Sequence, residues 1–202
     1  MLAIIAYALG VMYSPGPVNF LGLNAGMNGQ TKTSLGYCLG VGTAMFLLFL
    51  LFGWAGAAWI NGQLLIAVSI VGCAYIIYLA VHIAKARVDL DSITQPPPTL
   101  RYRDGLVLQL LNPKGIVATL PIATLQFPAL GIQGASLVVW SLGLALLAAG
   151  APGSYIWVGS LVGGRIRNPA VFKRFNQLMA LLLAGVALSM GYEHVWVPLV
   201  GM

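Results

Sequence analysis

Charged side chains are scarce in this sequence. Asp, Glu, Lys and Arg make up 7% of its 202 residues, whereas a soluble domain carries about 25%. Hydrophobic residues make up 59%, and the mean hydropathy is +0.91. They form apolar runs of about 20 residues, which match the thickness of a bilayer. The composition excludes an ordinary soluble domain and predicts an all-α polytopic membrane protein.

Acidic residues are the scarcest charged group. The four are Asp89, Asp91, Asp104 and Glu193, and none lies in the middle of an apolar run. The roles of Asp104 and Glu193, each near the end of a run, stay open, as does that of His82. A site for a cationic side chain, or a central proton relay, would place a carboxylate within the membrane. The sequence therefore favours a neutral ligand.

Motifs for redox, metal and nucleotide chemistry are also missing. Cys38 and Cys73 have no CxxC or metal-site spacing and are interpreted as packing residues. No Walker A motif is present, so direct use of ATP is unsupported. We therefore predict no metal and no cofactor.

The first basic residue is Lys32, too late for the n-region of a cleavable signal, so 1–27 is interpreted as a retained span.

The net charge of +6 does not indicate a nucleic-acid partner, because the basic residues are spread over loops and form no basic face. They occupy every second break between apolar runs. Nine of the ten lie there: Lys32, Lys85, Arg87, Arg101, Arg103, Arg165, Arg167, Lys173 and Arg174. Positive loops face the cytoplasm, so both termini are predicted to lie outside.

Six transmembrane helices are predicted from the apolar runs. Their approximate bounds are Leu2–Met27, Leu35–Ile60, Leu64–Ala84, Gly105–Phe127, Gly134–Trp157 and Gln177–Val200. Residues 1–84 then form a first three-helix repeat, 85–104 a cytoplasmic proline-containing loop, and 105–202 a second repeat. Three spans per half invert the second half relative to the first, as in many secondary transporters. The spacing from Pro15 to Gly36 equals that from Pro113 to Gly134.

The stretch "YSPGPVNF", residues 13–20, interrupts the first span, and "NPKG", residues 112–115, interrupts the fourth. Proline removes a backbone hydrogen bond from a helix. In lipid such a break persists only where it is buried in protein or lines a wet cavity. The half-helix ends at a break offer N–H groups to an anion and carbonyls to a cation. Paired breaks therefore predict a binding site for a small polar solute.

Polar residues cluster around both breaks. Lys114 is predicted either to bind a substrate carboxylate or to extend its ammonium group to the inner interface. The candidate substrate-binding residues are Ser14, Pro15, Gly16, Pro17, Asn19, Asn24, Tyr75, Gln109, Asn112, Pro113 and Lys114. Two GxxxG pairs, Gly22–Gly26 and Gly36–Gly40, indicate close helix packing and leave a homodimer open.

"SPGP" at 14–17 is followed by "GYCLGVGTAMF" at 36–46 and by "VGCAYIIYLAVHIAK" at 71–85. With two later segments, these stretches resemble the LysE/RhtB family of amino-acid exporters. Residues 71–85 are similar to the third-span signature of that family. "GLVLQLLNPKGIV" at 105–117 is similar to its Asn-Pro-Lys segment. "FNQLMALLLAGVALSM" at 175–190 is similar to the last span of a neutral amino-acid branch.

The resemblance implies a multi-pass exporter of amino acids or their derivatives in the bacterial inner membrane, driven by proton motive force. It also implies that the Pro-Gly-Pro and Asn-Pro-Lys breaks frame the substrate path. The expected partners are an amino acid, membrane lipid and a coupling proton. Two alternatives stay open: a cation or metal exporter of the same fold, and a membrane thiol–disulfide carrier. The residues themselves do not identify the amino acid.

Overall fold

The computed structural model describes residues 1–55, 62–85, 99–163 and 169–200. Within these ranges it is helical, without strands, as predicted for an all-α protein. The α-helices are α1 (Leu2–Met12), α2 (Pro17–Met27), α3 (Leu35–Ala55), α4 (Gly62–Lys85), α5 (Tyr102–Leu110), α6 (Pro113–Pro121), α7 (Phe127–Ala129), α8 (Gly134–Gly163), α9 (Pro169–Gly191) and α10 (Val197–Val200). Two π-helical turns, Ile122–Gln126 and Tyr192–Trp196, lie between α6 and α7 and between α9 and α10.

Two helices of the described chain, α3 and α8, are long and apolar enough to cross a membrane. Two bent pairs meet the same test when each pair is taken as one span. These are α1 with α2, and α5 with the segment from Pro113 to Ala129. Helices α4 and α9 contain the shorter apolar stretches Ser69–Tyr78 and Ala180–Gly191.

The observed helix bounds differ from the predicted ones mainly at the basic loops. Residues 102–104, assigned to the proline-containing loop, form the first turn of α5. The side chain of Asp104 accepts a hydrogen bond from the backbone N–H of Arg101 at 2.8 Å and so caps that turn. Helix α8 continues to Gly163, and α9 begins at Pro169, because proline suits the first position of a helix. Residues 86–98, which include most of the proline-rich segment, lie outside the described ranges.

Close helix packing depends on the predicted glycine pairs. A Cβ atom at Gly26 of α2 would overlap the backbone of Ile156 in α8, and one at Gly40 of α3 would overlap the backbone of Tyr102 in α5. Only glycine allows backbones to approach this closely. Both GxxxG pairs therefore serve packing within the chain, and they hold α2 against α8 and α3 against α5.

The two halves of the first bent pair are packed to different extents. Helix α1 buries two residues, Ile4 and Ala8. Helix α2 has the same length, and it buries eight: Pro17, Val18, Asn19, Leu21, Gly22, Ala25, Gly26 and Met27.

Large apolar side chains on the outer faces of the bundle, such as Leu39, Val139 and Leu146, are exposed. Exposed apolar surface on this scale suits contact with lipid.

Candidate functional site

The first break separates α1 from α2, whose axes differ by 61°. Pro15 and Pro17 carry no N–H group, so the hydrogen-bond ladder cannot pass through them. Gly16 is extended, with φ −177° and ψ 174°, and Pro17 follows it as the first residue of α2. No side chain caps the start of α2. The break therefore leaves an uncapped helix N-terminus beside the carbonyl groups that end α1.

The second break separates α5 from α6 and bends the chain by 70°. Leu110 ends α5, and Pro113 begins α6. Unlike α2, α6 is capped: the side-chain oxygen Oδ1 of Asn112 accepts a hydrogen bond from the backbone N–H of Lys114 at 3.1 Å. The side-chain oxygen of Asn112, a residue that is almost completely buried, is therefore already engaged by its own helix.

Lys114 connects the two breaks. Its ammonium nitrogen Nζ donates to the hydroxyl oxygen of Ser14 at 2.8 Å and to the carbonyl oxygens of Ser14 at 3.2 Å and Pro15 at 3.1 Å. An ammonium group has three N–H bonds, so these oxygens use all of its donors. The carbonyl end of a helix also carries negative partial charge, which favours a cation there. The side chain therefore reaches across to the other break and does not extend to an interface.

The other carbonyls of the first break also have donors. The side-chain amide of Asn19 donates to the carbonyls of Met12 and Ser14, both at 2.9 Å. The hydroxyl of Tyr155 on α8 donates to the carbonyl of Tyr13 at 3.0 Å. The hydroxyl of Ser14 donates to the carbonyl of Val11 at 2.7 Å. Carbonyls inside a membrane protein need partners, and side chains of α2, α8 and the break itself supply them here.

A cavity of about 40 Å³ lies between the two breaks. Its lining residues are Val11, Met12, Gly16, Pro17, Val18, Asn19, Val41, Met45, Gln109, Asn112, Lys114, Gly115, Ala118, Ala148, Ala151 and Pro152. Small-molecule pockets usually measure about 300–1,000 Å³. The cavity is therefore smaller than a usual small-molecule pocket, and Lys114 supplies the charge within its lining.

Gln109 occupies one wall of this cavity. Its amide nitrogen Nε2 lies 2.8 Å from the sulfur atom of Met45 on α3. A Cβ atom at Gly115 would lie 2.5 Å from the same nitrogen. Thioether sulfur is a weak acceptor. The side-chain amide of Gln109 is therefore the donor in the cavity lining that is most readily available to a ligand with a stronger acceptor.

The structure brings together most of the predicted site residues. Gly16, Pro17, Asn19, Gln109, Asn112 and Lys114 line the cavity, Ser14 and Pro15 adjoin it through Lys114, and Pro113 begins α6 beside it. Asn24 and Tyr75 are not among the lining residues. The ring of Tyr75 stacks on that of Tyr78, with centroids 6.2 Å apart, and packs against an apolar cluster.

Two contributors from α8 were missed by the sequence reasoning. Pro152 lines the cavity and lies inside a helix. Because proline has no N–H group, the carbonyl of Ala148, four residues earlier, loses its usual donor beside the cavity. Tyr155 donates to the first break. The proline in "GAPGSY", residues 150–155, was the available signal, since a proline inside a membrane helix frees a carbonyl wherever it occurs.

The residues that the alternative functions would need lie elsewhere. Among the described residues, no group of three or more His, Cys, Asp or Glu is placed to hold a metal ion. Cys38 and Cys73 are free and buried. The sulfur of Cys38 faces Gly153 of α8, and that of Cys73 faces Gly191 at the end of α9. Glu193 accepts a hydrogen bond from Ser189 at 3.3 Å, within an exposed turn.

A family model described as LysE type translocator matches residues 9–194. This range includes both breaks, every cavity-lining residue and almost all of the helical bundle. No curated protein matches the chain, and no solved structure does.

Proposed function

Because the chain belongs to the LysE type translocator family, we propose that it exports amino acids, specifically small neutral ones or their derivatives, across the bacterial inner membrane. It is a membrane transporter and not an enzyme, in keeping with its family and its apolar helices. The proposal includes six spans in two inverted three-helix repeats, with both termini outside.

One observation carries the choice of substrate. The ammonium group of Lys114 is held by three oxygens of Ser14 and Pro15, in the break that follows α1 and beside the uncapped start of α2. The end of one half-helix thus suits an ammonium group, and the start of the next suits a carboxylate. An amino acid carries both groups a short distance apart, so it fits this pair of helix ends.

Charge supports a neutral amino acid over a basic one. Lys114 already places one positive charge in the cavity, and no Asp or Glu is among the lining residues. A second cationic group would meet repulsion of several kcal/mol at about 4 Å in a partly buried site. A zwitterion adds no net charge and brings a carboxylate that Lys114 can bind.

The small volume of the cavity and the unequal packing around it support alternating access. A volume of about 40 Å³ is too small for an amino acid, so helices must separate to admit one. Helix α1 buries far fewer residues than α2, so movement of α1 breaks fewer packing contacts. We infer that α1 moves while α2 stays against α8, and that a proton gradient drives the cycle.

Transport assays in proteoliposomes test this function. Vesicles are loaded with radiolabelled neutral, basic and acidic amino acids, and their movement is measured with and without an imposed pH gradient. Movement of one neutral class that depends on the gradient is expected. If no amino acid moves while the protein is correctly inserted, the proposal is wrong, and metal ions and thiols are the next substrates to test.

A further inference from the structure

The oxygens around Lys114 form a complete ammonium site. They are one hydroxyl and two carbonyl oxygens, at 2.8, 3.2 and 3.1 Å from Nζ. Three acceptors match the three hydrogens of any primary ammonium group. Gly16 keeps the approach open, because a Cβ atom there would lie 3.1 Å from Nζ. The site therefore recognises an ammonium group whether a lysine side chain or a small molecule carries it.

This site cannot remain empty without a cost. Without Lys114, the carbonyl of Pro15 would lose the donor it has here, and the carbonyl of Ser14 would retain only the amide of Asn19. Pro15 is exposed, so solvent can reach its carbonyl, and the cost falls on the half-buried oxygens of Ser14. The neighbouring donors Asn19 and Tyr155 are engaged with the carbonyls of Met12, Ser14 and Tyr13. A second primary ammonium group matches Lys114 in both its three donors and its charge.

We propose that Lys114 is a tethered substitute for the amino group of the substrate, and that the two groups exchange at the oxygens of Ser14 and Pro15 during transport. This inference rests on the proposed function. In the empty carrier Lys114 closes the site and joins the two breaks. When the substrate arrives, its ammonium group takes the three oxygens, and the displaced Lys114 binds the substrate carboxylate.

The exchange conserves hydrogen bonds and charge. One ammonium group occupies the oxygens before and after it, so no acceptor is left without a donor. The released Lys114 needs an anion nearby, and the carboxylate of the same substrate supplies one. A ligand with only an amino group would release Lys114 without a counter-ion. A ligand with only a carboxylate would find Lys114 already bound. Both are expected to bind poorly.

The ammonium site is tested with purified Lys114→Ala protein, which lacks the tethered group. Ethylammonium chloride is the probe, and tetramethylammonium chloride at equal ionic strength is the control, because it cannot donate a hydrogen bond. Ethylammonium is expected to raise the melting temperature of Lys114→Ala by at least about 3 °C and to leave Lys173→Ala unchanged. Lys173 is an exposed lysine on α9. No rise, or an equal rise with both salts, would overturn the site.

Exchange is tested first with the folded wild-type chain, a comparison that does not depend on the folding of a variant, and then by comparing the wild type with Lys114→Ala. Alanine, ethylamine and propionate are compared with any amino acid that the transport assay identifies, again by melting temperature. The transported amino acid is expected to stabilise the wild type at lower concentrations than ethylamine or propionate. In Lys114→Ala, ethylamine is expected to act at concentrations at least tenfold lower than in the wild type. If ethylamine acts at the same concentration in both, Lys114 does not compete, and the exchange is refuted.

The two experiments separate two kinds of failure. If no amino acid moves in vesicles but ethylammonium rescues Lys114→Ala, the ammonium site exists and the proposed substrate class is wrong. If an amino acid moves but ethylammonium has no effect, the transport function stands, and the exchange of Lys114 is wrong.

Discussion

The ammonium nitrogen of Lys114 lies 2.8 Å from the hydroxyl oxygen of Ser14, although the two residues are 100 positions apart in the chain. This hydrogen bond joins the second break to the first, and it lies at the edge of the cavity between them. A change on either side of it is therefore expected to alter movement of the two bent helix pairs more than membrane insertion.

Lys114→Ala is expected to reduce the initial transport rate in proteoliposomes at least tenfold, because it removes the three hydrogen bonds between the breaks. Asn112→Ala removes only the cap of α6, typically about 1 kcal/mol, so a loss of about three- to tenfold is expected. Protein level and orientation in the vesicles are measured in parallel, and both should match the wild type. Wild-type rates in both variants would refute the site assignment.

Asn19→Ala is expected to lower the free energy of unfolding by about 1–3 kcal/mol, because the carbonyls of Met12 and Ser14 lose a donor in a buried break. Unfolding in mixed detergent micelles measures the change. Asn28→Ala is the matched control. The side-chain amide of Asn28 donates to the carbonyl of Asn24 from the residue just after α2, so a smaller loss is expected. Equal losses would count against a special role for Asn19.

Gly26→Ala is expected to destabilise the fold by about 1–3 kcal/mol, because its Cβ atom would overlap the backbone of Ile156. Gly10→Ala on α1 is the control, since nothing lies within 4 Å of a Cβ atom there. The fraction of folded protein after heating is compared for both. Similar heat resistance in the two variants would contradict the close packing of α2 against α8.

Pro152→Ala is expected to slow transport at least threefold without lowering stability. Alanine restores an N–H group that can pair with the carbonyl of Ala148, so the helix gains a hydrogen bond and the cavity loses a free acceptor. General damage to the fold would lower both the transport rate and the stability. A lower transport rate without a loss of stability therefore separates this effect from such damage. A variant that is both less stable and slower would indicate that Pro152 acts through packing against Gly22.

The double variant Cys38→Ser with Cys73→Ser is expected to retain transport within about twofold of the wild type. The two thiols contact different helices, α8 and the end of α9, and neither is among the cavity-lining residues. Transport is measured in the same vesicles, with and without a reductant. Loss of activity together with a dependence on reductant would favour the thiol–disulfide carrier.

Local chemistry was sufficient to predict the class of fold and the positions of the breaks. Low charge and long apolar runs determine that the chain belongs in a bilayer, because each residue contributes to transfer free energy wherever its neighbours lie. Pro15, Pro17 and Pro113 break helices through their own missing N–H groups. The break at 13–16 and the break at 111–112 were therefore predictable without knowledge of any distant contact.

Tertiary structure decided which groups meet at those breaks. The sequence left Lys114 open between binding a substrate carboxylate and extending to the inner interface, and only packing determined that it binds Ser14 and Pro15 across the bundle. Tyr155 and Pro152 reach the same region because α8 packs against α2, a contact between segments more than 100 residues apart. The same packing leaves Tyr75 stacked on Tyr78, outside the cavity lining. Which residues become partners at the breaks depends on how the helices cross. Side-chain volumes and glycine contacts throughout the bundle determine those crossings, so no local sequence pattern predicts the partners.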